Sequence, residues 1–291
     1  MPDPKAISMQ AEAFQLKLRA EKIRKRLLEI IFHAGAGHTG GSLSVTDMLT
    51  CLYLSILKID PMRPDWPDRD RFILSKGHCV ESLYCVLASA GFIDDTVLDT
   101  YGQFNSILAG HPTRHVPGVE LNSGSLGHGL SVGVGMALAA RMDGRNYRVF
   151  VLMGDGEQGE GSIYEAAMAG SHYGLDNLVA IIDRNRLQIS GNTEDVMGLH
   201  PIDQRWTSLG WQIHETDGND HSALLRTFGS LPLSSGKPQL VIAHTVKGKG
   251  VSYMENQAKW HHGVPDSTHY NQAIAEINQR IENLQSGQWT A

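Results

Sequence analysis

The sequence predicts an α/β fold in which helices flank a parallel β-sheet. Four short runs, at 71–74, 147–153, 178–183 and 239–245, are apolar almost throughout. Segments with helical patterning separate them, and no linker or internal repeat interrupts the alternation. Continuous apolar strands are typical of a parallel sheet that is buried on both faces, and alternation with helices gives an α/β fold. The 291 residues suffice for one large domain, and we expect residues 1–291 to form a single unit.

The helices are predicted in chain order from apolar periodicity and capping residues. The segment 10–33 places apolar side chains on one face, and a glycine-rich stretch follows it. A second helix is expected over 46–57, with Thr46 as its N-cap. Residues 122–130 open a helix rich in glycine and alanine, whose small residues indicate close packing against the sheet. The remaining helices are expected at 79–90, 162–174 and 268–285.

Composition argues against several classes of protein. The net charge is −6 without a basic stripe, which argues against a nucleic-acid surface. No apolar run approaches 18 residues, so no membrane span is expected. The three cysteines form no CxxC pair, and the N-terminus has no apolar leader. We therefore expect a cytoplasmic protein.

Polar, glycine-flanked residues follow each predicted strand. They are Ser-Lys-Gly-His at 75–78, Gly-Asp-Gly at 154–156, Asp-Arg-Asn at 183–185 and Lys-Gly-Lys-Gly at 247–250. In an open parallel sheet, ligands bind beyond the carboxyl ends of the strands. The four groups should therefore converge on one edge of the sheet and form a binding site.

The Gly-Asp-Gly and Asn residues predict a site for a hard cation and a diphosphate. Asp155 offers an anionic oxygen between Gly154 and Gly156, and Asn185 offers a neutral oxygen after the next strand. Such ligands suit Mg²⁺ or Ca²⁺ rather than zinc, and the following helix N-terminus favours phosphate. A Gly-Asp-Gly by itself is more often a turn in which the aspartate caps a helix. The later asparagine, 28 residues beyond Gly156, favours the metal site.

This combination resembles the thiamine-diphosphate motif, and the chain resembles the amino-terminal half of transketolase from about residue 20 to 265. Matching stretches include AGHTGGSLS, DRFILSKGHCVESLY, NSGSLGHGLSVGVGMALA and HTVKGKGVSYMENQAKWHHGVP. The resemblance implies a thiamine-diphosphate-binding domain with Mg²⁺ or Ca²⁺. It implies metal ligation by the side chains of Asp155 and Asn185 and by the carbonyl of Leu187. It implies cofactor contacts from Gly124, Ser125, Leu126, Gly154, Asp155, Gly156, Asn185, Lys247, His78 and His262.

The resemblance also assigns roles to histidines and glutamates. Histidine is the usual proton carrier near neutral pH, and four lie in glycine-containing loops. They match residues that surround the cofactor and bind sugar hydroxyls: His38, His78, His111 and His262. His261 is the neighbouring alternative to His262 for this role. His128 occupies a position at which the family commonly has glutamine. Lys76 matches a lysine of some members, while Glu160 and Glu165 match glutamates that link two cofactor sites across a dimer interface.

The chain departs from the family because no pyrimidine-binding domain follows the first one. In the family, that domain supplies the glutamate that activates the cofactor and many of the contacts to sugar phosphate. We therefore expect an N-terminal subunit that works with a separate C-terminal subunit, in an α₂β₂ assembly. An incomplete piece of a longer enzyme is the alternative, although the polar end NLQSGQWTA favours a natural terminus. The donor could be a sulfosugar, a branched pentulose phosphate or xylulose phosphate.

Two other functions compete with a transketolase subunit. A protein similar to 1-deoxyxylulose-5-phosphate synthase would share Gly-Asp-Gly and Lys-Gly-Lys-Gly. The stretches AGHPT and WHHGVP are more similar to transketolase. A cofactor-binding protein without catalysis would need the metal motif but not the set of histidines.

Overall fold

The computed structural model describes residues 4–232 and 236–287, with the side chains of residues 4–6 excepted. The strands are β1 Arg71–Leu74, β2 Val149–Gly154, β3 Leu178–Arg184, β4 Gln212–Asp217 and β5 Gln239–His244. In the described residues they form one parallel sheet in the order β1-β2-β3-β5-β4. Helices cover both faces, so the predicted fold class is confirmed. The last residues of the polar C-terminal end, 288–291, lie outside the described part.

The helices form two layers because each face of the sheet is apolar. They are α1 Pro4–Ala34, α2 Thr39–Cys51, α3 Val80–Ala90, α4 Gly129–Met142, α5 Gly161–His172, α6 Thr193–Val196, α7 Ile202–Ser208, α8 His221–Gly229 and α9 Ser267–Gln285. Side chains such as Phe150 and Ile181 pack on one face with α1, α2, α3 and α8, and α9 packs on α1. Val151 and Ile182 pack on the other face with α4, α5 and α7. Across the described residues, no helix combines the length and the apolar character needed to cross a membrane.

The strand register brings the polar strand ends together. Gly154 of β2 pairs with Asp183 of β3, and Asp183 pairs with Ala243 of β5. The residues that follow these positions therefore leave the sheet side by side. The site described below is built on this edge.

The predicted start of the second helix is wrong. Helix α2 begins at Thr39, and Thr46 lies inside it, where its hydroxyl donates to the Ser42 carbonyl at 2.9 Å. The glycine-rich stretch forms the first turn because α2 is buried along its whole length. A Cβ on Gly41 would lie 2.6 Å from the Cys79 sulfur, so close packing against the next loop requires glycine there.

Strand β4 was absent from the predicted set. It reads QIHETD and lies at the edge of the sheet, where only Thr216 of its six residues is buried. An edge strand needs no continuous apolar run, so the pattern that identified the other strands could not reveal it.

Candidate active site

A cavity of about 330 Å³ opens at the carboxyl end of the sheet. It is bounded by the loops that follow β1, β2, β3 and β5, and by the start of α2. Most of the residues expected at the site line this cavity. These are His38, Lys76, His78, Gly124, Leu126, Gly154, Asp155, Gly156, Asn185, Leu187 and Lys247.

Asp155 is buried with its two carboxylate oxygens in different surroundings. Its Oδ2 accepts hydrogen bonds from the Arg186 N–H at 2.7 Å and from the Arg184 guanidinium at 3.2 Å. Its Oδ1 accepts from the Gly156 N–H at 2.8 Å. Burial, and then repulsion from Asp183, raises the pKa of Asp155 above its ordinary value. A cation at Oδ1 would offset this penalty on the charged form.

Two further oxygens lie beside Asp155 in the loop that follows β3. The Asn185 side chain donates from Nδ2 to Asp183 at 2.8 Å, and its Oδ1 accepts from the Leu187 N–H at 3.1 Å. The Leu187 carbonyl accepts from the Lys247 ammonium at 3.0 Å. Within the described residues, no three histidine, cysteine or acidic side chains are grouped to hold a metal. The three oxygens described here form a different kind of donor set, because only Asp155 among them is acidic.

Two buried lysines give the cavity positive charge. The Lys76 ammonium lies 2.5 Å from Asp183, and both side chains are buried. Burial alone would lower the pKa of Lys76, but the Asp183 carboxylate raises it above its ordinary value. Burial and the nearby Lys76 lower the pKa of Lys247 to about 8. Both ammoniums suit an anionic ligand in the same cavity.

The glycines leave room that a side chain would fill. A Cβ on Gly156 would lie 2.8 Å from Cγ of Gln188, and one on Gly124 would lie 3.3 Å from the His111 ring. Three oxygen donors, two ammoniums and these open backbone positions match the needs of a divalent cation with a diphosphate. The residues therefore fit the magnesium and thiamine diphosphate that the resemblance implies.

Five imidazoles cluster at the mouth of the cavity. The ring centroid of His38 lies 5.2 Å from His78, 6.0 Å from His111, 5.8 Å from His261 and 4.5 Å from His262. Burial first, and then the neighbouring positive groups, lowers the pKa of His38 to about 4 and that of His261 to about 3. The same causes lower the pKa of His78 well below its ordinary value. These three rings are neutral at pH 7 and can both donate and accept hydrogen bonds.

His261, rather than its neighbour, lines the cavity. Its Nδ1 lies 2.8 Å from the Lys247 ammonium, so Nδ1 accepts and Nε2 carries the ring proton. His262 is exposed and packs edge-on against His38. The sequence, aligned on the following glycine, favours His262. In the structure, the rings of both His261 and His262 lie close to the ring of His38.

Four other predicted residues are exposed at the surface near the cavity. The Nδ1 atom of His128 lies 2.9 Å from the carbonyl of Leu126 in its own loop. Ser125, Glu160 and Glu165 are also exposed. A bridging role for the two glutamates stays a prediction, since it concerns contact with another chain.

The sequence assigned no individual role to two buried carboxylates of the site, although Asp183 belongs to the predicted group at 183–185. Glu157 accepts from the Gly127 N–H at 2.8 Å, from the Gly154 N–H at 3.0 Å and from the Ser75 hydroxyl. It therefore joins the Gly-Asp-Gly turn to the loop before α4. Asp183 likewise accepts hydrogen bonds from residues that follow several strands. Their positions next to Gly-Asp-Gly and Asn185 were the available signal, but their contacts come from distant parts of the chain.

Comparison with known proteins agrees with this geometry. The family model described as "Transketolase, thiamine diphosphate binding domain" matches residues 16–280. A protein of Phocaeicola vulgatus, named as one of the subunits of an apulose-4-phosphate transketolase, is 59% identical over 95% of this chain and 98% of its own length. A protein of a Clostridium species, named as a component of a 6-deoxy-6-sulfo-D-fructose transketolase, is 38% identical over 92% of this chain and 98% of its own length.

Solved structures show the same relationship in three dimensions. The transketolase of Leishmania mexicana superimposes with a TM-score of 0.82 and 27% identity. The alignment covers 94% of this chain but 45% of that one, so the chain spans less than half of the solved enzyme. The family match, the high identity to a full-length relative and the shared fold lead to one conclusion: the chain belongs to the transketolase family, as a thiamine-diphosphate-binding N-terminal unit.

Proposed function

We propose that the chain is the N-terminal subunit of a two-component transketolase, which transfers a two-carbon ketol group from a ketose to an aldose. One observation carries the proposal. A single cavity combines the oxygen donors of Asp155, Asn185 and Leu187 with a cluster of neutral histidines. A protein that only stored the cofactor would have no need of the histidines, and this argues against the non-catalytic alternative.

The β2 and β3 loops hold the cofactor's charged end. Asp155 Oδ1, Asn185 Oδ1 and the Leu187 carbonyl bind Mg²⁺ or Ca²⁺, which are oxygen-seeking cations. Lys76 and Lys247 neutralise the diphosphate, and Gly156 lines the same cavity. When bound, thiamine diphosphate supplies a carbon nucleophile that carries the two-carbon unit.

The histidines bind the sugar and move protons. His38 and His78 line the cavity as neutral rings, so each can donate to one sugar oxygen and accept from another hydroxyl, while His261 donates from Nε2. His111 and His262 lie near His38, with ring centroids 6.0 and 4.5 Å from its own. The Lys247 contact keeps the proton of His261 on Nε2.

A separate partner chain completes the site. The relative from Phocaeicola vulgatus is named as one part of a transketolase, and this chain covers 98% of its length. We assign the pyrimidine-binding and C-terminal domains to a partner chain, and residues 1–291 to the diphosphate-binding domain alone. An α₂β₂ assembly would place Glu160 and Glu165 between two copies of this chain. The buried, unpaired cysteines Cys51, Cys79 and Cys85 suit the reducing cytoplasm.

A branched pentulose phosphate is the first donor to test. The relative with 59% identity is named for apulose 4-phosphate, whereas the one with 38% identity is named for a sulfosugar. Xylulose 5-phosphate, from the pentose phosphate sugars, is the second candidate. The histidine cluster can serve each of them because it contacts the hydroxyl groups that ketoses share.

Calorimetric titration tests the cofactor assignment on this chain. Thiamine diphosphate is titrated into the chain in Mg²⁺ and, separately, in EDTA. We expect binding that requires Mg²⁺, with Asn185→Ala weakening it and His128→Ala, outside the cavity, leaving it unchanged. Binding that ignores Mg²⁺ would contradict the assigned metal site.

A further inference from the structure

Asp183 is the buried centre of the strand ends that form the cavity. Its side chain has no measurable exposure, although it carries a carboxylate. Its Oδ2 accepts from the Lys76 ammonium at 2.5 Å, the Ser44 hydroxyl at 2.6 Å and the Asn185 amide at 2.8 Å. Its Oδ1 accepts from the Thr245 hydroxyl. These donors come from the β1 loop, α2, the β3 loop and the β5 loop, so one carboxylate joins four segments.

The contact with Asn185 decides which end of that amide faces the cavity. A carboxylate accepts hydrogen bonds and donates none when ionised. All four groups around Asp183 are placed as donors to it, so the carboxylate acts here as an acceptor alone. It therefore selects the NH₂ end of Asn185 and turns Oδ1 away. A cation needs that oxygen, because an amide NH₂ would repel it.

We propose that Asp183 is a positioning residue that sets the cation affinity of the site by fixing the orientation of the Asn185 amide. The inference rests on the proposed function, since it assumes that Asn185 ligates a metal. Asp183 acts through Asn185 and not by touching the cation itself. Removal of such a partner from a metal ligand typically weakens metal affinity by about 10–100-fold.

Variants at the two positions separate orientation from general stability. Asp183→Ala removes the acceptor, so the Asn185 amide can turn over. Asn185→Asp supplies a better ligand but sets it against the Asp183 carboxylate, with no hydrogen to share. The double variant, Asp183→Ala with Asn185→Asp, removes that repulsion. It needs no orienting partner, because either oxygen of the new carboxylate can face the cation.

The measurement is the Mg²⁺ concentration that gives half-maximal binding of thiamine diphosphate by the full chain. We expect each single variant to raise this concentration about tenfold or more, and the double variant to return to within about threefold of the native value. Ser44→Ala is the matched control. It removes another hydrogen bond to Asp183 but leaves the Asn185 contact, so it should stay within about threefold of native.

The results for these variants decide whether Asp183 has the positioning role. Unchanged half-saturation in Asp183→Ala, or no recovery in the double variant, would overturn the positioning role. If the variants that lack Asp183 do not fold, Asn185→Asp decides alone: tight binding by Asn185→Asp would overturn the role. A native chain without Mg²⁺-dependent binding would overturn the proposed function as well, so the two failures are distinct.

Discussion

Asp155→Asn is the sharpest perturbation of the proposed metal site. The new amide keeps the size of the carboxylate but must place its NH₂ at one of two positions. At Oδ2 it would face the N–H groups of Arg186 and Arg184, whereas at Oδ1 it would face the N–H of Gly156 alone. The NH₂ therefore prefers Oδ1, where it points at the expected cation.

Asp155→Asn should change the stability of the cofactor-free chain only slightly, but it should weaken cofactor binding strongly. Burial already raises the pKa of Asp155, so loss of its charge relieves a cost while weakening hydrogen bonds worth about 1 kcal/mol each. Metal affinity should fall by more than about 100-fold, or about 2.7 kcal/mol.

Thermal unfolding with and without cofactor measures the difference. At about 100 times its dissociation constant, a ligand stabilises a protein by about 2.7 kcal/mol. For a domain of this size that corresponds to a rise in Tm of about 5 °C for the native chain. We expect a rise below about 1 °C for Asp155→Asn under the same conditions. Thr193→Val is the control, since it removes a hydrogen bond to Oδ2 alone and should keep the full rise. A full rise in Asp155→Asn would refute the reasoning.

Three further predictions concern the histidines and Glu157. In the complete enzyme, His78→Asn should lower the ketol-transfer rate by about 10²–10⁴-fold with little change in Tm, whereas a rate equal to that of the exposed-site control His128→Asn would exclude its role. The ordinary pKa of His38, 6.5, falls to about 4 in the folded chain, so the unfolded state binds more protons between these values. The free energy of unfolding should thus fall by roughly 1–2 kcal/mol as pH drops from about 6.5 to 4, after a discount for solvent screening, and His38→Gln should flatten this loss in urea titrations. Glu157→Gln should lower the free energy of unfolding by about 1–3 kcal/mol in urea denaturation, because one N–H loses its acceptor; a loss no larger than that of exposed Glu165→Gln would contradict the role of Glu157 in joining the two loops.

The sequence was informative where a residue's role depends on its neighbours in the chain. Apolar runs identified β1, β2, β3 and β5, and the residues after them lie together at one edge. Local patterning was misleading for α2, because its buried first turn needs glycine for close packing. Strand β4 lacked the signal because an edge strand tolerates polar side chains.

The parts of the site that the sequence did not predict depend on contacts between distant segments. Glu157 and Asp183 gain most of their partners from loops far away in the chain, so no spacing rule marks them. The choice between His261 and His262 depends on the path of one loop, which places His261 beside Lys247. Residue type and spacing identified where the site lies, and the fold determined which atoms of its residues are in contact.

The central claim is that this chain catalyses ketol transfer only together with a C-terminal partner chain. The direct measurement is an assay with thiamine diphosphate and Mg²⁺, using apulose 4-phosphate or xylulose 5-phosphate as donor and an aldose phosphate as acceptor. It is run with the chain alone, with only a partner that carries the pyrimidine-binding domain, and with both. We predict turnover in the mixture and none in either chain alone. Turnover by this chain alone, or none in a mixture that holds the cofactor, would contradict the account.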